Sequence, residues 1–209
     1  MAGYTYTTLV QAIKDYTDNT EATFVSQIDS FIQNTEERIL KLAPPLQVFR
    51  KSATATVTSG NKYFPKPSDW LSTHSFNVTS SGEKITLQNK DVNFIYEYAP
   101  DATVTGTPRY YSEFDIDNFI FAPTPDAAYA AELHYFYRPA SLTSTTSTWL
   151  SENAGLTLLY GCLSEAYTFM KGEPDMIQAY DQKFMQAVER LGMFAMDAEG
   201  RDNYKRSVA

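Results

Sequence analysis

The chain has 209 residues, 43% hydrophobic and 14% aromatic, which is enough for a packed core in one large or two small domains and too apolar for a disordered protein. Its formal net charge of -8, from 25 acidic and 17 basic residues, argues against tight binding to nucleic acid or to an anionic membrane. No apolar run approaches the ~18 residues of a membrane span, and the start MAGYTYTTLV lacks the basic and apolar stretches of a secretory signal, so the chain reads as soluble and unprocessed.

Leu9, Val10, Ile13 and Tyr16 follow helical spacing, with Thr5, Thr7 or Thr8 able to cap the start. After the polar break Thr17 to Thr20, a stronger helix is predicted from about Thr23 to Leu42. Phe24, Ile28, Phe31, Ile32, Ile39 and Leu42 lie on one side of it, and Gln27, Asp29, Gln33, Glu36, Glu37 and Arg38 on the other. Pro44 and Pro45 end it, because proline cannot donate to the helical ladder and disfavours helix in the residue before it.

From Gln47 to Thr58 the chain turns to β-branched and small residues, and Ser59, Gly60 and Asn61 supply a turn into Lys62, Tyr63 and Phe64, which predicts a hairpin. Pro65 and Pro67 impose an extended stretch before Trp70 and Leu71. A second hairpin is predicted from His74–Thr79 and Lys84–Leu87 around Ser80, Ser81 and Gly82. Asp91 can cap a short helix with Phe94, Ile95 and Tyr98 facing inward, ending at Pro100.

The stretch Gly106 to Met170 organises the chain. Around a two-residue turn at Asp117 and Asn118, Ile116 falls opposite Phe119 and Phe114 opposite Phe121, so period-two geometry predicts one buried face carrying all four. Tyr129, Ala131, Leu133, Tyr135 and Tyr137 then alternate with Ala130, Glu132, His134, Phe136 and Arg138 until Pro139 ends the strand. Ser141 to Thr148 reads as a connection, and Ser151 can cap the next helix. In that helix Leu156, Leu159, Tyr160, Leu163, Tyr167 and Met170 recur at three and four residue steps. Gly172 and Pro174 close it and open another, on which Ile177, Tyr180, Phe184, Val188, Leu191 and Phe194 repeat the pattern.

The fold class that follows is α+β, with terminal helices forming a helical bundle and an antiparallel β region between them. Residues 1–45 and 150–196 make the bundle part, 46–149 the β-rich part, and 197–209 a polar extension without an apolar stripe, expected to be flexible.

Candidate chemistry is sparse. Glu113, Asp115 and Asp117 alternate on a predicted strand and could offer oxygens to a cation, but a solvated face opposite Phe114 and Ile116 is much the better reading, because Ca²⁺ sites draw their ligands from a tight loop. Glu36 and Glu37 are adjacent on a helix and diverge. His74 and His134 fall in no metal-binding spacing, and Cys162, the only cysteine, sits in an apolar helical run where a buried, inert thiol is the commoner case. No phosphate-cradling glycine loop, GxSxG or paired CxxC occurs, so the reading is no enzyme, no cofactor and no metal. The 15 tyrosines fall mostly at core-facing positions, although exposed ones could stack on sugars.

The words TLVQAIKDYT, FIQNTEERI, PSDWL, GTPRYY, FAPTPDAAYAAELHYFYRP, TWL and LLYGCLSEAYTFMKG, in this order, resemble the head-to-tail adaptor proteins of short-tailed bacteriophages (podoviruses), the tail tubular protein A-like connectors. The likeness covers nearly the whole chain and is most specific from Gly106 to Gly172. In the first long helix, Thr35 stands where such proteins often have alanine before glutamate. The resemblance implies a structural virion protein of the neck, soluble in the host cytoplasm before assembly. It would form a homo-oligomeric ring, dodecameric in related phages, between the portal protein and the tail nozzle protein, with double-stranded DNA passing through the channel without specific binding. It also implies that the C-terminal extension docks on the portal, which makes Tyr204, Lys205 and Arg206 portal-contact candidates. The rival from another class is a tail-associated glycan-binding or glycan-cleaving protein, which would need exposed aromatics along a groove beside two carboxylates.

Overall fold

The computed structural model of the protein describes residues 3–43, 45–101 and 103–199, with residues 194–199 described by backbone alone. In chain order its α-helices are α1 (Tyr6–Thr17), α2 (Ala22–Val25), α3 (Ile28–Leu42), α4 (Val92–Tyr98), α5 (Trp149–Asn153), α6 (Gly155–Phe169) and α7 (Pro174–Glu199). The strands are β1 (Arg50–Val57), β2 (Tyr63–Pro65), β3 (Trp70–Ser80), β4 (Glu83–Thr86), β5 (Gln88–Asn89), β6 (Thr105–Gly106), β7 (Tyr110–Glu113), β8 (Asn118–Ala122), β9 (Thr124–Pro125) and β10 (Tyr129–Tyr137). The class is α+β, as the sequence predicts. The chain divides into two compact units, one of Met1–Gln47 with Ala140–Ala209 and one of Val48–Pro139.

In the helical unit α6 packs against α1, α3 and α7. It can do so because its sequence is apolar on most sides and small where neighbours come closest: Leu158, Leu159, Gly161, Cys162, Leu163, Ser164 and Ala166 are all buried. A Cβ at Gly161 would lie 2.3 Å from Cγ2 of Thr35 and 3.0 Å from the ring of Phe184, so only glycine admits α3 and α7 this closely. Arg38 of α3 ties the three helices together, donating to Glu165 at 3.3 Å and to Asp181 at 2.6 Å with its guanidinium 4.4 Å from the centre of the Phe184 ring. Tyr180, Phe184, Val188 and Leu191 of α7 are buried at the spacing the sequence predicts.

Local differences from the predicted helices have local causes. The helix predicted from Thr23 breaks at Ser26 and Gln27, where the Ser26 hydroxyl donates to the Thr23 carbonyl at 2.8 Å and competes with the backbone ladder. Phe24 and Ile28 remain buried on either side of the break, while Leu42, in the last turn, is 48% exposed. Tyr16 is likewise exposed, although Leu9 and Ile13 are buried. Thr148 rather than Ser151 is the cap here: Thr148 Oγ1 accepts the Ser151 N–H and Ser151 Oγ accepts the Thr148 N–H, a reciprocal box that starts α5. The chain kinks at Ala154 before α6, which leaves Leu156 exposed. At the α6–α7 turn Lys171, not Gly172, takes the left-handed conformation, with φ of 54°. The last helix runs through Glu199, and the rest of the predicted extension, with Tyr204, Lys205 and Arg206, lies outside the described residues.

In the β unit, one antiparallel sheet runs β1-β10-β3-β4 and a second, mixed sheet runs β2-β8-β7-β5, with β5 parallel to β7. The two share a core of Phe64, Phe76, Val78, Tyr111, Phe119, Phe121, Leu133 and Tyr135 among others. Phe76 is its centre, with ring centroids of Phe64, Tyr111, Phe119 and Phe121 all within 5.5 Å. The other face of the second sheet carries Ile120 and Ala122 against Ile95 of α4, so β8 is buried on both faces. Asp91 caps α4 as predicted, accepting the Asn93 N–H at 2.8 Å, but Tyr98 is exposed and covers Tyr110 edge-on instead of entering the core.

Two strand predictions are corrected. The turn at Gly60 exists, with φ of 75°, yet β1 pairs with β10 and β2 with β8, so the two strands it joins enter different sheets. The register of the β7–β8 hairpin is displaced by three residues from the one a two-residue turn implied, with Glu113 rather than Ile116 opposite Phe119 and Tyr111 rather than Phe114 opposite Phe121. Phe114 and Ile116 therefore belong to the turn and are 39% and 88% exposed. The cause is Asp115, whose carboxylate accepts the backbone N–H groups of Asp117 and Asn118 at 2.8 and 2.6 Å and pins the chain as a loop. The second hairpin, at Ser81 and Gly82, forms as predicted, and the alternation along β10 holds from Tyr129 to Tyr135 until register shifts beyond His134 bury Phe136 too.

Candidate functional site

The helical unit holds a cavity of about 650 Å³. Its walls come from three places in the sequence brought together by two close approaches. The N-terminal segment lies along α5, with the Tyr4 N–H donating to the Ser151 carbonyl at 2.8 Å. A Cβ at Gly3 would come within 2.4 Å of the Glu152 Cα, and one at Gly155 within 2.8 Å of the Tyr4 ring. Tyr4, Trp149, Leu156 and Tyr160 then form apolar walls, and Lys183 and Arg190 project from α7. Lys183 Nζ stands 5.0 Å from the Tyr180 ring centre and 5.7 Å from that of Tyr160. Glu152, the acid on the rim, accepts the Ser147 hydroxyl at 2.6 Å. Aromatic walls with two cations suit recognition of another chain, and this arrangement supplies no activated nucleophile.

A second exposed group lies in the β unit. The Tyr63 and Phe114 rings are 5.1 Å apart, Ile116 projects beside them in sequence, and Lys62 Nζ lies 5.4 Å from the Tyr63 ring and 5.1 Å from Tyr96. These are the aromatics a glycan-binding reading would use. The neighbouring carboxylate, Asp115, is engaged by its own turn, and its hydrogen bonds from Asn118 hold its pKa below the usual carboxylate value. A glycosidase acid needs the opposite shift.

The remaining candidates are structural. Among the described residues, no group of three His, Cys, Asp or Glu side chains is placed to hold a metal ion, and Glu113, Asp115 and Asp117 do not share a strand face. His134 Nε2 lies 2.8 Å from Glu132, whose other oxygen is held by Lys84, while Arg50 donates to His74 at 3.2 Å. Glu37 pairs with Lys41 at 2.7 Å on the surface, whereas Glu36 turns inward and accepts the Leu142 N–H at 2.9 Å, with burial raising its pKa. Cys162 is fully buried, and desolvation pushes its thiol up to about 12. No described helix is long and apolar enough to cross a membrane.

The cavity was not legible from sequence, since Trp149 stands there only within the word TWL and nothing joins it to Tyr4 or Arg190. The signal available was the pair of glycines at positions 3 and 155, neither in a turn. Comparison with curated proteins gives no match. The family model described as SU10 adaptor protein matches residues 4–209, and the chain therefore belongs to the SU10 adaptor protein family, as a structural adaptor protein of bacteriophage.

Proposed function

We propose that this protein forms a homo-oligomeric ring at the neck of the virion, joining the portal to the tail nozzle and lining part of the channel through which the genome leaves. The observation that carries the reading is family membership across residues 4–209, because it spans both compact units and not a shared fragment of one. The function is assembly, with no chemistry of its own. Subunits arrive from the host cytoplasm, and the chain beyond Glu199, including Tyr204, Lys205 and Arg206, supplies cations and an aromatic ring to the portal. DNA slides through without being held, since each subunit brings a formal charge of -8 to the ring.

The deciding experiment is mass measurement of the purified protein alone and mixed with capsids or rings of its portal. Multimers of defined stoichiometry on the portal are expected. A protein that stays monomeric under both conditions and does not attach to the portal would overturn the reading.

A further inference from the structure

Edge strands normally carry some device against pairing with other chains: charge, proline, a bulge or shortness. Strand β1 is an edge of the first sheet, eight residues long, and pairs with β10 over its whole length without a register shift. Its stretch Ser52–Val57 contains no charge and no proline. Six of the eight residues are exposed, and only Val57, with Ala53 partly buried beside it, packs on the core. Among the described residues, its outward backbone groups make no hydrogen bond outside the sheet. The opposite edge, β4, is short and carries Glu83 and Lys84, but among the described residues its outward backbone groups likewise make no hydrogen bond outside the sheet.

The two edges match. Three successive antiparallel pairings make β4 antiparallel to β1, so a copy of the sheet placed beside the first by a small rotation sets its β1 antiparallel to the neighbouring β4. Twelve subunits would need a rotation of about 30° per step, and a ring uses two different surfaces of each subunit in this head-to-tail way. The side-chain rows match too. One row across the sheet reads Ala55, Ala131, Val78, Ile85, of which the last three pack on the core and Ala55 is exposed; the next reads Thr54, Glu132, Asn77, Thr86. Continued across the junction, the partly buried Ile85 meets the exposed Ala55 of the next copy, and Thr86 meets Thr54, which are favourable cross-strand pairs.

We infer that β4 of one subunit pairs edge-to-edge with β1 of the next, so that the first sheet runs on from copy to copy around the assembly. This rests on the ring reading above and names the surface that makes the ring. With only four residues in β4, the pairing fixes register and direction, and the rest of the interface supplies further affinity.

The test is disulfide trapping in the full chain. Cα atoms of paired residues in an antiparallel junction are ~4.5–5.5 Å apart, within disulfide range. The double variants Thr54→Cys/Thr86→Cys and, for a register displaced by two, Thr56→Cys/Thr86→Cys are assembled alone and on portal-bearing capsids and oxidised with diamide. Reducible covalent ladders of several subunits are expected from one double variant and from none of the single variants; the buried Cys162 does not compete. In parallel, Ala55→Glu, at an exposed position, leaves the unfolding midpoint of the subunit unchanged and abolishes assembly. Assemblies of the expected mass that give no ladder with either pair overturn the edge pairing and leave the ring reading intact. Absence of any assembly in the unsubstituted protein, alone and on capsids, overturns both.

Discussion

The Cγ2 methyl of Thr35 occupies the space that a Cβ on Gly161 would need, the two positions falling 2.3 Å apart. Helix α3 meets α6 at this point. Gly161→Ala gains ~1 kcal/mol of helix propensity but must push into a fully buried threonine and the Phe184 ring. A net loss of about 1–3 kcal/mol is expected. Thr35→Ser removes the clashing methyl and should relieve part of the loss, so a double-mutant cycle in urea should show coupling above ~0.5 kcal/mol. Additive effects would place the strain elsewhere.

Glu36 accepts the Leu142 N–H inside the helical unit, where burial raises its pKa above the ordinary 4.5. Above its folded-state pKa the carboxylate is ionised whether the chain is folded or not, and its burial is a net cost. As pH falls through the raised value toward 4.5, the folded protein takes up the proton first and gains stability relative to the unfolded chain. Glu36→Gln keeps an acceptor for Leu142 without the charge. Urea titrations should find it the more stable protein at pH 7, by a margin that shrinks toward pH 4.5. A margin that instead grows on acidification would contradict the sign.

In the β7–β8 turn, the aspartate matters and the isoleucine does not. Asp115→Ala removes the acceptor for two backbone N–H groups and the Asn118 amide, and should lower the melting temperature. Ile116→Ser, at a residue 88% exposed, should stay within about 0.5 kcal/mol of the parent. Thermal melts of the two variants decide the matter; a large loss for Ile116→Ser would mean the side chain is covered.

Duplex DNA should bind the protein weakly. A subunit with formal charge -8 repels a polymer carrying one phosphate charge per ~1.7 Å, and screening over ~8 Å at physiological salt weakens that repulsion without reversing it. Titration of a short duplex across a salt series should show no sub-micromolar affinity. Tight binding that collapses on adding salt would reveal a phosphate-binding surface.

Much of this fold could be read from residue order. The β10 alternation, the Asp91 cap and the stripe Tyr180, Phe184, Val188, Leu191 all depend on contacts within one element, and period and capping chemistry report those directly. What escaped was decided by partners distant in sequence. Nothing between Gln47 and Phe64 announces that β1 will join β10 while β2 joins β8, because both destinations lie more than fifty residues further on. Phe114 and Ile116 looked like core because their apolar character was weighed above Asp115, whose turn chemistry prevailed. The cavity around Tyr4 and Trp149 is assembled from three separate segments and left only two glycines as its trace.

Cys162 gives the helical unit a reporter of its own. A thiol with no solvent exposure and a pKa of about 12 reacts with an alkylating reagent only when the packing of α6 opens. Because it is the only sulfhydryl in the chain, the rate of its modification reads the frequency of that opening without any engineered label. Compared between the free subunit and the intact virion, the same rate would measure how far assembly suppresses breathing of this unit.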